Sequence, residues 1–110
     1  MSNKKDLIDT VMQIVLECCQ VDIDGVSRVT KDDVYGKSRA ESIVMTRCIF
    51  VTQMVFCGFS RTTIAAILHR SEKTIGHILD QAHGFRKTSP AYRFAEAEST
   101  IKLKHEVSKH

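Results

Sequence analysis

A chain of 110 residues with 43% hydrophobic content can bury one core without a metal or disulfide to staple it. No run reaches the roughly eighteen apolar residues of a membrane span, and the N-terminus lacks the apolar stretch of a secretory signal, so a cytoplasmic protein is expected. The net charge of +3 is small but uneven. Residues 1–35 carry four basic against seven acidic side chains, residues 36–87 eight against three, and the remainder four against three. Positive charge therefore gathers in the middle of the chain, where it favours phosphate contacts and counterion release.

In chain order, the segment from about Lys4 to Gln20 sets Leu7, Val11, Ile14, Val15 and Cys18 on one stripe, widened by Ile8, Met12 and Cys19, and predicts a core helix. The pattern breaks at VDIDGVSRVT, where Gly25 and its aspartates favour a turn. A short helical turn is expected from Lys31 to Tyr35, with Thr30 as its cap, Asp32 and Asp33 at the positive end of its dipole, and Gly36 stopping it. Gly36, Lys37 and Ser38 spell the tail of a phosphate-binding P-loop, but position 31 is a lysine where the motif needs glycine. A basic loop is the better account, and no nucleotide is expected. The next helix runs from about Glu41 to Cys57, with Ile43, Arg47, Phe50, Met54 and Cys57 near one face, Ile49 and Gln53 beside it, and Gly58 at its left-handed end. Arg47 has two readings: a half-buried residue whose guanidinium reaches water, or a phosphate contact.

From Ser60 to Leu79 the chain reads as two short helices joined by a tight turn, the first about 60–69 and the second about 72–84. Ile64, Ala65 and Leu68 form the inner face of the first, Ile75 and Ile78 that of the second, and Ser71 is placed to cap the second. This is the spacing of a helix-turn-helix, whose second helix enters the DNA major groove; an ordinary helical hairpin shares the same apolar pattern. The polar residues left outside, Ser71, Glu72, Lys73, Gly76, His77 and Gln81, favour the DNA reading. Gly76 inside a helix points to close approach, either to a neighbouring helix or to a groove. Beyond Phe85, Ser89 and Pro90 open a final helix to about Val107, with Tyr92, Ala95, Ile101 and Leu103 as its apolar residues. That helix either packs on the core of residues 4–87 and frays at Lys109 and His110, or offers a surface for a homodimer that sets two recognition helices one DNA turn apart.

The chemistry-bearing residues give no enzyme. Cys18, Cys19, Cys48 and Cys57 show no CxxC spacing and fall on apolar positions, which predicts buried thiols rather than a metal site. His69, His77, His83, His105 and His110 lack ligand spacing, and no nucleophile, base and orienting acid can be assembled. No metal or cofactor is expected.

The stretch GKSRAESIVMTRCIF followed by FSRTTIAAILHRSEKTIGHIL resembles the C-terminal DNA-binding domain of the bacterial replication initiator DnaA. That family has a basic loop with an arginine, an arginine-bearing long helix, a serine opening the first motif helix, and a signature close to Arg-Asp-His-Thr-Thr-Val-x-His. Here the signature reads Arg70, Ser71, Glu72, Lys73, Thr74, Ile75, Gly76, His77. The resemblance spans about Leu7 to Phe85. It implies an all-α domain in which Arg39 enters the minor groove and Arg47 contacts phosphate, while Arg70, Thr74 and His77 keep the family's residue types. Where the family reads bases with Asp-His-Thr, this chain has Ser71, Glu72 and Lys73, so the initiator's own recognition sequence is not expected to be its target. No Walker motif appears, and a stand-alone binder of double-stranded DNA is expected, with Lys37, Arg39, Arg47, Arg61, Thr62 and Arg70 on the backbone or minor groove and Ser71, Lys73, Thr74 and His77 on the recognition helix. The alternative is a protein-interaction or dimerisation module that keeps the scaffold without specific DNA binding.

Overall fold

The computed structural model describes residues 4–19 and 29–108. The described residues form six helices: α1 (Lys4–Cys19), α2 (Lys31–Tyr35), α3 (Glu41–Phe56), α4 (Arg61–Leu68), α5 (Glu72–Thr88) and α6 (Pro90–Ser108). No strand occurs among the described residues, so the fold is all-α. The turn expected around Gly25 and the fraying expected at Lys109 and His110 lie outside the described residues.

Hydroxyl side chains set most helix starts. Thr30 accepts from the Asp33 amide at 3.2 Å while the Asp33 carboxylate accepts from the Thr30 amide at 2.9 Å, a reciprocal capping box for α2. Ser60, Ser71 and Ser89 each accept from the amide three residues ahead and open α4, α5 and α6. Helix ends follow the same logic. At the end of α3, Gly58 has φ +94, its amide donates to Val55 O, and the Phe59 amide donates to Met54 O. That pair of bonds closes a Schellman motif in which only glycine avoids a Cβ penalty. His69 ends α4 in the same left-handed way, at φ 55, with its own amide on Ala66 O and the Arg70 amide on Ala65 O. Only His69, Arg70 and Ser71 separate α4 from α5, so the two helices are joined by a three-residue turn.

α3 is the central helix. It is buried on nearly every side from Met45 to Val51 and again at Gln53 and Met54, and it packs against every other helix. The single inner face expected from the sequence is therefore too narrow: Ile43 and Cys57 at its ends are only half-buried, while Met45, Cys48 and Val51 are core. A helix enclosed by five others reads as apolar all round rather than as a stripe. Ile64, Ala65, Leu68, Ile75 and Ile78 are buried as expected and seat α4 and α5 on this core.

One boundary differs from the sequence reading. α5 continues through Gly84 to Thr88, because Ala82 is buried and half-buried Phe85 stacks on Tyr92 at 5.5 Å between ring centroids. α6 packs on the core, one of the two readings expected for it. Tyr92, Ala95 and Leu103 are fully buried and α6 packs along α1, whereas Ile101 points outward at 68% exposure. The inward stripe runs instead through small, polar Ser99, which Gln53 of α3 meets at 3.1 Å. None of the helices among the described residues is long and apolar enough to cross a membrane.

Candidate nucleic-acid interface

Between α2 and α3 the chain makes a five-residue connection, Gly36 to Ala40, with no regular structure of its own. A helix as short as α2 leaves its last carbonyls without intrahelical donors. Two arginines supply them. From α3, Arg47 donates through Nε to Val34 O at 2.9 Å, through Nη2 to Asp33 O at 3.0 Å and Gly36 O at 2.9 Å, and through Nη1 to Ser38 O at 3.3 Å. From the α4–α5 turn, Arg70 donates through Nη1 to Tyr35 O at 3.4 Å and to Leu68 O at 3.1 Å, and through Nη2 to Gly36 O. The negative end of the α2 dipole thus meets two cations.

Arg47 is more buried than the half-buried side chain expected, at 7% exposure, and backbone carbonyls take up its guanidinium. Burial first, and then the neighbouring charge of Arg70, pulls its pKa below the ordinary arginine value. Among the described residues no carboxylate comes within ion-pair distance of Arg47 or Arg70. Two cations therefore share one carbonyl, Gly36 O, without an acid between them.

Over this clamp lies a surface cleft of about 690 Å³. Lys37, Ser38 and Arg39 form one wall, and Thr74, Ile78, Gln81 and Phe85 of α5 form the other. The α5 set recurs at four, three and four residues, one face of a helix. Arg47, Arg70, Glu41 and Val44 complete the lining. Four basic side chains thus meet one acidic one in a concavity, and such walls concentrate the field on an entering anion. Lys37 and Arg39 are exposed and make no ion pair among the described residues.

The structure brings Lys37, Arg39, Arg47, Arg70 and Thr74 into one site, as five of the sequence candidates. Ser71, Lys73 and His77 are exposed on the N-terminal half of α5 outside the cleft lining, and Arg61 and Thr62 are exposed on the first turn of α4. Ser71 is engaged as the α5 cap, and its Oγ also lies 2.9 Å from Thr74 Oγ1. Thr62 Oγ1 donates to Glu72 Oε1 at 2.9 Å, so the acid at the start of α5 is tied back to α4. At Gly76 a Cβ would stand 3.5 Å from Arg61 Nη1, an ordinary contact distance, so the close approach expected there is not found within the chain.

Ser38 was not singled out as a binding residue from sequence, yet it lines the cleft, as does Gln81 from the polar set expected outside the second helix. Gln81 lies seven residues after Thr74, on the same helix face. The Thr62–Glu72 bond has no sequence signal, because it depends on how the two helices cross.

The remaining chemistry-bearing side chains are dispersed. Cys18, Cys19 and Cys48 are buried free thiols and Cys57 a half-buried one. Burial pushes Cys18 up to about 11 and Cys19 and Cys48 up to about 12, which keeps them protonated at neutral pH. Among the described residues no three His, Cys, Asp or Glu side chains come together as a metal would require. Comparison with protein families, curated proteins and solved structures finds no match to this chain.

Proposed function

We propose that the chain binds double-stranded DNA in the way the DnaA C-terminal domain exemplifies. In this reading α5 lies in the major groove while the loop at Lys37 and Arg39 tracks the adjacent backbone or enters the minor groove. The observation that carries it is the cleft in which exposed Lys37 and Arg39 face Thr74 and Gln81 of α5, with Arg47 and Arg70 behind the loop and Glu41 as the one carboxylate of the lining. Lys73 and His77, exposed on α5, reach base edges, and Arg61 and the N-terminal amides of α4 lie toward phosphate. Glu72 keeps its second oxygen for a base amine while Thr62 holds the first.

The test is fluorescence anisotropy with a random-sequence duplex pool across a salt series, with bound sequences recovered. About four phosphate contacts predict a slope of log affinity against log salt near about −4, and Lys37→Ala lowers its magnitude by about 1. Enrichment of a motif makes the protein a sequence reader; a steep slope without enrichment makes it a non-specific DNA coater. Absence of binding at low salt would remove the proposal.

A second reading, a self-association or protein-interaction module, is favoured by the outer face of α6. Phe94 is 58% exposed and Ile101 68%, with exposed Ala97 between them, on the side opposite the buried Tyr92, Ala95 and Leu103. Sedimentation of the parent chain and of Phe94→Ser separates the two readings: association that is insensitive to salt and lost in the variant supports the interaction module.

A further inference from the structure

The loop that carries Lys37 and Arg39 is irregular in backbone but held at several points. Gly36 O accepts from both Arg47 and Arg70, and Ser38 O accepts from Arg47. One guanidinium therefore grips the carbonyls on both sides of Lys37. One residue on, Ser38 Oγ accepts from the Ala40 amide at 3.2 Å, which spans Arg39. An unrestrained loop would lose backbone freedom when a phosphate docks, and a loop already held loses less.

Arg47 itself is poorly placed to touch a ligand. It is buried, and its four hydrogen bonds use four of the five N–H groups a guanidinium has. A lysine in its place keeps the charge but has a single nitrogen, which cannot fork to Val34, Gly36 and Ser38 together. We infer that Arg47 is a positioning residue for the DNA-binding loop: its buried guanidinium presets Lys37 and Arg39 against α5, and Arg70 braces the same carbonyl from the helix-turn-helix turn. This rests on the DNA-binding reading above and assigns Arg47 a part in it without any contact to DNA.

A double-mutant cycle tests it. Arg39→Ala is made in the parent chain and in Arg47→Lys, with Lys73→Ala in both backgrounds as the comparison, and affinity for one duplex is measured at fixed low salt. Expected is a loss of about tenfold for Arg39→Ala in the parent but less than about twofold in Arg47→Lys, with Lys73→Ala losing the same factor in both. A general loss of stability would not produce that selective coupling. Equal losses from Arg39→Ala in both backgrounds would overturn the inference and leave DNA binding standing; failure of the parent to bind would overturn both. Nitrogen-15 relaxation of the free protein supplies a reading that needs no DNA: order parameters at Lys37, Ser38 and Arg39 fall in Arg47→Lys while those of α5 hold, and unchanged order at the loop would contradict the inference. If urea unfolding finds Arg47→Lys unfolded at the assay temperature, Arg70→Lys takes its place in the same cycle and the same relaxation measurement, with the same outcomes.

Discussion

Two buried polar side chains stand on α3 less than two turns apart, and they are held in opposite ways. Arg47 gives hydrogen bonds to four carbonyls of the α2 end and the basic loop. Gln53, 1% exposed, turns its Nε2 toward Thr100 Oγ1 at 2.9 Å, Ser99 Oγ at 3.1 Å and Glu96 O at 3.4 Å, all on α6, while its Oε1 has no partner among the described residues. Two of the four acceptors of Arg47 depend on it, since Val34 O and Ser38 O have no other donor among the described residues, whereas Gly36 O also accepts from Arg70 and Asp33 O from the Gly36 amide. Those of Gln53 do not, because the Ser99 and Thr100 hydroxyls already donate to Glu96 O at 2.8 and 2.9 Å. A buried polar group matters by what would be orphaned without it, and by that measure the α2 end needs its arginine far more than α6 needs its glutamine.

The largest expected effect follows directly. Arg47→Met should lower unfolding free energy by about 2–4 kcal/mol, since buried Val34 O and the loop carbonyl of Ser38 lose their donor; urea unfolding measures it. A loss below about 1 kcal/mol would mean the α2 end finds other partners. Alkaline pH should act on the same core. Cys48 adjoins Arg47, whose charge favours the thiolate, yet burial dominates and raises the thiol to about 12, as it does for Cys19. Because the native values lie above the ordinary 9.0, this stability is complete below pH 9 and is lost as pH rises toward 12. The loss is on the order of 1 kcal/mol per pH unit for each thiol, checked by unfolding at pH 8, 9 and 10 in reductant.

Smaller effects separate the helix ends from the helix interiors. Gly58→Ala should destabilise by about 1 kcal/mol, because φ +94 strains any other residue. Gly84→Ala should stabilise by about 0.5–1 kcal/mol, since a Cβ there meets nothing within 4 Å in the middle of a helix. Gln53→Met should fall within about 1 kcal/mol of the parent, as it removes an unpartnered oxygen and leaves the α6 hydroxyls satisfied. A large loss at Gln53 would erase the contrast with Arg47.

What the sequence made legible was local. The Thr30, Ser71 and Ser89 caps, the left-handed Gly58, and the apolar spacing of Ile64, Leu68, Ile75 and Ile78 each depend on residues within a turn or two, and all are found. Lys37, Arg39, Arg70 and Thr74, each expected at the DNA interface, line one cleft. The role of Arg47 was not legible, since donors to backbone carbonyls leave no mark on the residues that accept them. Ile101 misled for a related reason: counting apolar letters places it inward, while the actual stripe is completed by Ser99, whose small side chain fits under Gln53.

The measurement that bears most directly on the central claim is amide chemical-shift mapping of the labelled chain with a short duplex drawn from the enriched pool, or a random duplex if no motif emerges. Shifts are expected to concentrate at Lys37–Arg39, Arg61, Thr62 and Arg70–Gln81, with the outer face of α6 at Phe94 and Ile101 unmoved. Shifts centred on Phe94 and Ile101, or none at the loop, would contradict it.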